Sequence, residues 1–104
     1  IFSLHLCLKI DFSNILLDLK QFKVFVNQKP IELTKMEFDL LKFFIVNKEQ
    51  ALSRDTILNA IWGYEYDGTT RIVDVHVYNL KRKLIAAECF FKPVRGVGYS
   101  LLLK

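Results

Sequence analysis

The sequence predicts an α+β fold in which a small N-terminal antiparallel sheet precedes three helices and a C-terminal β-hairpin. Short β-favouring runs separated by turn residues fill the first third of the chain. Capping residues and apolar residues at helical spacing follow, and a Gly-Val-Gly turn lies near the end. With 104 residues, 52% of them hydrophobic, the chain can form one domain whose core needs neither disulfides nor a metal.

Four short strands are predicted before the first helix. The runs 8–12, 15–19 and 22–26 are rich in Ile, Leu, Val and Phe, and polar turn residues separate them. A brief fourth strand is expected at 30–32. These runs are short and consecutive, so they indicate a four-stranded antiparallel sheet.

The first helix has a complete start signal. Thr34 is placed to cap the free amides, and Glu37, three residues later, is placed to complete a capping box. Leu33 and Phe38 have the spacing of a hydrophobic staple, and Asn47 is a plausible end. The predicted buried face is Phe38, Leu40, Leu41, Phe44 and Ile45.

A second helix is predicted from Ser53, as N-cap, to Gly63. Its apolar residues are Ile57, Leu58, Ile61 and Trp62, and Trp62 is interpreted as a core residue. The loop that follows, 63–68, is longer than the turn of a simple helix-turn-helix.

The third helix is amphipathic, and we expect Thr69 or Thr70 to cap it. Its buried stripe is predicted to be Val73, Val77, Leu80 and Leu84. The opposite side is polar and basic. Strands at 94–95 and 99–101 then flank the glycine turn, in which Gly96 and Gly98 permit a tight turn and close backbone approach.

Charge is concentrated in the same part of the chain. Residues 1–68 carry a net charge of −1, whereas residues 69–104 carry +5, within a total of +4. Positive charge around an amphipathic helix is typical of nucleic-acid binding, and a helix of this kind fits the major groove of DNA. A basic domain without such a function is the other reading of charge alone.

Other classes of function find little support. No apolar run reaches the roughly 20 residues of a membrane span. Cys7 and Cys89 suggest buried thiols in a reducing cytosol, since they form neither a disulfide framework nor a zinc motif. His5 has no obvious catalytic partner, and no motif activates either thiol. We therefore expect that the chain is not an enzyme and that it binds neither a metal nor a cofactor.

Four motifs together resemble the DNA-binding output domain of OmpR/PhoB-type response regulators. The run Leu-Thr-Lys-Met-Glu-Phe-Asp-Leu-Leu at 33–41 is similar to the first-helix signature of that family. Residues 53–58 with Trp62 look like its second helix, 71–77 like the start of its recognition helix, and 94–99 like its wing. The motifs occur in the family's order and cover nearly the whole chain.

The resemblance implies a winged helix-turn-helix domain over residues 1–104 that binds double-stranded promoter DNA. It implies direct-repeat sites occupied by a head-to-tail dimer, in the bacterial cytoplasm. Because the first residue is Ile1 and not Met, we expect a piece of a longer protein, with a receiver domain preceding it. In some members the loop before the recognition helix contacts RNA polymerase, and that loop here contains Tyr64, Glu65, Tyr66 and Asp67.

Base reading is assigned to the polar side of the third helix. Asn79 can bond both N6 and N7 of adenine, or it can be a solvated surface residue. Val75 can contact a thymine methyl group or be partly buried beneath the wing. Tyr78 can stack or bond phosphate, or rest on a basic side chain. His76 can contact phosphate or be a half-buried structural residue.

Phosphate contacts are assigned to the basic residues and to the hairpin. The phosphate candidates are Arg71, Lys81, Arg82 and Lys83. Further DNA-contact candidates are Thr69 and Thr70 at the start of the helix and Arg95 and Val97 at the wing. Arg95 has a second interpretation, in which it pairs with Asp74 and fixes the wing beside the helix. Glu37 is likewise expected to pair with Arg54 between the first two helices.

A different function also fits the sequence. Tyr78 and Asn79 occupy positions where family members often carry Arg or Lys. The chain could therefore be a winged-helix protein-interaction module with weak or lost DNA binding. The aromatic and acidic loop at 64–67 suits a protein partner, or it can fold onto its own helices.

Overall fold

The computed structural model describes residues 9–63 and 69–103, and within them the chain forms seven strands and three helices. The N-terminal sheet has the order β1–β2–β3–β4, and every neighbouring pair is antiparallel. Its strands are β1 Lys9–Phe12, β2 Ile15–Asp18, β3 Lys23–Val26 and β4 Lys29–Ile31. The predicted four-stranded sheet is confirmed.

One face of this sheet covers the core. Ile15, Leu17, Val24 and Val26 alternate with more exposed neighbours along β2 and β3, and all four are almost fully buried. Phe22 was predicted to begin the third strand, but it lies in the preceding turn with a φ of 56°. This left-handed backbone cannot continue a strand, so β3 starts one residue later.

Helix α1, Lys35–Val46, begins and ends as the sequence predicts. Thr34 Oγ1 accepts a hydrogen bond from the Glu37 amide at 3.1 Å, and Glu37 Oε1 accepts one from the Thr34 amide at 3.0 Å. The capping box is therefore complete. Asn47 is the C-cap, and all five predicted core positions are buried.

Helix α2, Arg54–Ile61, is capped by Ser53, whose Oγ accepts a hydrogen bond from the Thr56 amide at 3.0 Å. Trp62 is its C-cap and Gly63 follows with a φ of 92°, which glycine adopts readily. Strand β5, Leu52–Ser53, was not predicted from the sequence; it pairs with the C-terminal hairpin just before α2 starts.

Helix α3, Arg71–Lys83, buries the predicted stripe of Val73, Val77, Leu80 and Leu84. The predicted cap position is confirmed, but the side chain there does not cap the helix. Thr70 is the N-cap residue, but it makes no capping hydrogen bond, and its φ of −68° and ψ of −8° are already helical. A capping side chain reaches the helix amides from an extended backbone, which this residue does not have.

The predicted C-terminal hairpin is confirmed, but its strands are longer than predicted: β6 is Cys89–Val94 and β7 is Gly98–Leu103. Arg95, predicted to lie in the first strand, lies in the turn. With β5 it makes a second sheet of order β5–β7–β6. Gly96 turns the chain with a φ of 79°. At Gly98 an added Cβ would lie 2.0 Å from the Leu52 carbonyl oxygen, so only glycine allows β5 to pack there.

Asn14 joins the two ends of the fold. Its Nδ2 donates to the Ala86 carbonyl at 3.1 Å, and its Oδ1 accepts from the Glu88 amide at 2.8 Å. The turn between β1 and β2 is thereby tied to the segment between α3 and β6. One core cluster includes residues of both sheets and all the described helices. No helix in the described ranges has the length and apolarity needed to cross a bilayer.

Candidate nucleic-acid interface

Helix α3 presents one line of exposed side chains opposite its buried stripe. Arg71, Val75, Tyr78 and Arg82 are separated by four, three and four residues, and all of them are exposed. We call these four residues the exposed stripe. The spacing places them on one face of the helix. Val75 is 50% exposed, which favours a contact role over burial beneath the wing.

Tyr78 and Arg82 are neighbours within the exposed stripe. The Arg82 guanidinium carbon lies 5.8 Å from the centroid of the Tyr78 ring, and Tyr78 is 60% exposed. This is the surface aromatic resting on a basic side chain that the sequence offered as one alternative. The contact is a cation–π interaction between residues one helical turn apart.

Asn79 and Lys81 flank the exposed stripe on either side. Asn79 is half-buried and lines a shallow depression with Glu37, Arg82 and Lys83. Lys81 is exposed. The proposed adenine reader therefore lies at the border of the exposed stripe, where only part of its amide is accessible.

Lys83 and Glu37 form an ion pair between α3 and α1. Lys83 Nζ lies 2.6 Å from Glu37 Oε1, and the Glu37 side chain is only 5% exposed. Burial alone raises the pKa of Glu37, but the bonds from Lys83 and from the Thr34 backbone outweigh it, so this pKa lies below its ordinary value. The predicted Glu37–Arg54 pair is wrong, because Lys83 is the partner of Glu37. The Lys83 ammonium group therefore points toward Glu37 and not toward a phosphate.

Asp74 joins three elements through its carboxylate. Arg54 Nε, at the start of α2, donates to Asp74 Oδ1 at 2.9 Å, and the Tyr99 hydroxyl of β7 donates to the same oxygen. The Arg54 guanidinium also lies over the Tyr99 ring, 5.1 Å from its centroid. The predicted pair of Asp74 with Arg95 is wrong, because Arg54 is the ion-pair partner of this carboxylate and Arg95 forms no ion pair among the described residues.

The protonation states of this network follow from its contacts. Burial raises the pKa of Asp74, but hydrogen bonds from Tyr99 and Arg54 bring it below the ordinary value. The bond to Asp74 raises the pKa of Arg54. Burial, with the bond to Asp74, raises the pKa of Tyr99. At neutral pH the network therefore contains a carboxylate, a guanidinium and a neutral phenol.

His76 takes the structural position that the sequence left open. Its Nδ1 lies 3.0 Å from the Ile72 carbonyl oxygen, and its ring meets the Trp62 ring edge-on at 5.1 Å between centroids. Both residues are half-buried, and Trp62 packs against the core as predicted. The imidazole thus fixes the end of α2 against α3.

Several side chains at the start of α3 and in the hairpin turn are exposed to solvent. Thr69 and Arg71 are exposed, and with Thr70, Arg54 and Asp74 they line a concave surface. Arg95 and Val97 are exposed in the hairpin turn, and Val97 is 42% exposed. Among the described residues Arg95 makes no ion pair. Its charge is therefore not neutralised by the carboxylates of the chain that the structure describes.

Some predicted residues lie outside the described residues. These are the loop residues Tyr64, Glu65, Tyr66 and Asp67, and also His5 and Cys7. Cys89 is buried, as expected.

Arg54 and Tyr99 were missed as members of the site by reasoning from sequence. An arginine at the first position of a helix and a tyrosine in a strand carry no local signal of a shared partner. The available signal was an acid on the polar side of a basic helix, which needs a neutralising partner. It identified Asp74 correctly but gave it the wrong arginine.

The fold and this surface define the class of winged-helix domains. A family model described as "Transcriptional regulatory protein, C terminal" matches residues 28–101. The chain belongs to this family, as its resemblance to OmpR/PhoB-type regulators implied. The family is one of transcriptional regulators and not of enzymes.

Individual relatives agree with this assignment. The response regulator ArlR of Staphylococcus aureus is 44% identical over 94 residues, which cover 88% of this chain and 43% of ArlR. The chain thus spans less than half the length of the curated relatives it matches. The response regulator DrrB of Thermotoga maritima, an OmpR/PhoB homologue, is similar with a TM-score of 0.75 and 31% identity, over 91% of this chain and 44% of DrrB.

A related structure was solved on DNA. It is the Klebsiella pneumoniae RstA DNA-binding domain in complex with the RstA box. Its TM-score is 0.80 and its sequence is 29% identical, with coverage of 90% of this chain and 96% of that one.

Proposed function

We propose that this chain binds double-stranded DNA as the output domain of a bacterial two-component-type transcriptional regulator. The exposed stripe of α3 carries the proposal. It ends in an arginine at each terminus, it lies opposite the core, and no described acidic side chain forms an ion pair with Arg71 or Arg82. The similarity to RstA, solved in complex with its box, supports the same assignment.

In this proposal α3 enters the major groove and the hairpin reaches the adjacent backbone or minor groove. Arg71, Lys81 and Arg82 contact phosphates, as do the hydroxyls of Thr69 and Thr70 at the open start of α3. Arg95 and Val97 contact DNA from the turn of the hairpin, and His76 contacts phosphate only with its exposed edge.

Base reading is proposed for Val75 and Asn79. The exposed Val75 methyl groups suit the methyl group of thymine, and the Asn79 amide suits adenine. Replacing Asn79 with Ala should cost about 1–3 kcal/mol on the best site and relax its preference for one adenine. Equal weakening on selected and random DNA would contradict a reading role for Asn79.

The wider assembly is also part of the proposal. We propose a receiver domain that precedes this one, a head-to-tail dimer on direct repeats, and a cytoplasmic location. The loop residues 64–67 are proposed to contact RNA polymerase. Membership of the family and similarity to response regulators support these assignments.

Selection of duplexes from a random library, followed by gel-shift titration at low salt, tests the proposal. It predicts recovery of a repeated motif and a shift that the selected duplex produces at lower protein concentration than random duplex. A chain that retains its fold and shifts neither duplex would contradict DNA binding. That result would favour the protein-interaction module, for which exposed Tyr78 and Val75 would be the contact surface.

A further inference from the structure

We infer that Tyr78 is a positioning residue that orients Arg82 toward a DNA phosphate. The Tyr78 hydroxyl itself makes no contact with DNA in this account. The inference rests on the proposed DNA binding and deepens it. Tyr78 stands at a position where related helices often carry a cation. Its assigned role is to orient the neighbouring Arg82.

The other basic side chains near the helix show why Arg82 is distinctive. Lys83 is directed to Glu37 at 2.6 Å, and Arg54 is directed to Asp74 at 2.9 Å. Arg82 makes no ion pair among the described residues, and its guanidinium lies 5.8 Å from the Tyr78 ring centroid. It is therefore oriented by a ring face and keeps its full charge for an external anion.

Orientation by a ring leaves the hydrogen-bond donors of Arg82 unused. A guanidinium that lies over an aromatic face is attracted by the ring, while its N–H groups in the plane remain available. Arginine binds phosphate through two such donors in a fixed fork. Tyr78 thus restricts the Arg82 side chain without competing for the groups that a phosphate would use.

The expected benefit is a smaller ordering cost on binding. Immobilising a flexible side chain at an interface weakens affinity by about 2- to 10-fold, and a side chain that is already oriented avoids part of this loss. Because the two residues lie one turn apart on an exposed face, this arrangement forms within α3 alone.

Affinity for random-sequence duplex DNA at low salt is the measurement, because phosphate contacts are independent of sequence. Tyr78→Leu removes the ring but retains bulk, and we expect it to weaken binding about 3- to 10-fold. Tyr78→Phe keeps the ring, and we expect its affinity to stay within about twofold of that of the unsubstituted chain. Arg82→Ala should reduce the magnitude of the log–log salt slope by about 0.9, whereas Tyr78→Leu should leave the slope unchanged.

The double variant Tyr78→Leu/Arg82→Ala separates positioning from direct contact. If Tyr78 acts through Arg82, the double variant should bind DNA as Arg82→Ala alone does, within about twofold. A full Tyr78→Leu loss in the Arg82→Ala background would show that the ring contacts DNA itself. A Tyr78→Phe variant as weak as Tyr78→Leu would show that the hydroxyl is the contact. Either result overturns the inference, as does a Tyr78→Leu variant with unchanged affinity.

Controls distinguish a failure of this inference from a failure of the proposed function. Lys29→Ala removes one exposed cation from β4 of the N-terminal sheet and reports the effect of net charge alone. Circular dichroism melting confirms that each variant is folded. If the unsubstituted chain fails to bind duplex DNA, the proposed function falls and this inference with it. If it binds and the couplings above are absent, only the inference falls.

Discussion

At the scale of single residues, the polar contacts around α3 divide its charges into two sets. Glu37 and Asp74 each hold one cation, Lys83 and Arg54 respectively, and these pairs fix α3 against α1 and α2. Arg71 and Arg82 lie outside these pairs, on the exposed stripe. A basic residue here therefore either joins two helices through an ion pair or stays exposed outside these pairs.

The Arg54–Asp74 pair predicts a coupled effect on DNA binding. Arg54→Ala leaves the Asp74 carboxylate near the proposed phosphate surface without its guanidinium partner, so binding should weaken. Asp74→Asn should partly restore it. Both side chains are partly exposed, so the pair should contribute only about 0–1 kcal/mol to folding.

A double-mutant cycle on affinity and on melting temperature measures this coupling. The matched cycle pairs Arg95 with Asp74 and should be additive, because the structure places Arg54 and Tyr99 on that carboxylate. Strict additivity of Arg54 and Asp74 in affinity would contradict the shared role.

The Lys83–Glu37 pair predicts a pH-dependent contribution to stability. Lys83→Met leaves a nearly buried carboxylate without its cation, and should cost about 1–3 kcal/mol of unfolding free energy at pH 7. The pKa of Glu37 is lowered in the folded chain, so its stabilisation is complete above the ordinary value of 4.5 and is lost as pH falls through the lower folded value.

Urea unfolding of the chain and of Lys83→Met at several pH values tests this sign. The difference between the two should shrink as pH falls through the lowered pKa of Glu37 in the unsubstituted chain, because below it Glu37 is protonated in both. Lys81→Met is the control, because Lys81 is exposed in the same turn. A difference that grows toward acid pH would contradict the assigned pair.

At the scale of elements, the hairpin and α2 depend on the close passage of β5 across β7. Gly98 makes this passage possible, since any larger residue would bring its Cβ against the Leu52 carbonyl. Ser53, at the end of β5, is also the N-cap of α2. The position of the wing is thus linked directly to the start of α2.

A pair of glycine substitutions tests this link. Gly98→Ala should destabilise the chain by about 1–3 kcal/mol or more, because the backbone of β5 must move. Gly96→Ala meets no atom within 4 Å, and should cost only the roughly 1–2 kcal/mol of a left-handed φ. Chemical denaturation measures both, and equal or reversed losses would mean that β5 does not constrain the hairpin.

Local signals predicted the elements well, and they failed where contacts join distant parts of the chain. The capping box of Thr34 and the apolar stripe of α3 are patterns within a few residues, and the structure confirms both. Strand β5 has two residues and exists only because β7 lies beside it. The partner of Asp74 depended on how three elements meet, and the sequence contains no local record of that.

At the scale of the whole molecule, positive charge is concentrated in the C-terminal third of the chain, in α3 and the hairpin. Residues 69–104, which contain α3 and the hairpin, carry a net charge of +5, whereas residues 1–68 carry −1. Asn14 fastens the sheet to the segment after α3. This arrangement suits a domain that holds one helix rigidly toward a polyanion.

The salt dependence of binding to random duplex DNA tests the central claim most directly. If α3 and the hairpin neutralise about four to six phosphates, the slope of log affinity against log salt should be roughly −4 to −5. Arg71→Ala should reduce its magnitude by about 0.9, whereas Lys29→Ala on the N-terminal sheet should leave it unchanged. A slope near zero, or one that Lys29→Ala reduces as much as Arg71→Ala does, would contradict DNA binding through the exposed stripe of α3.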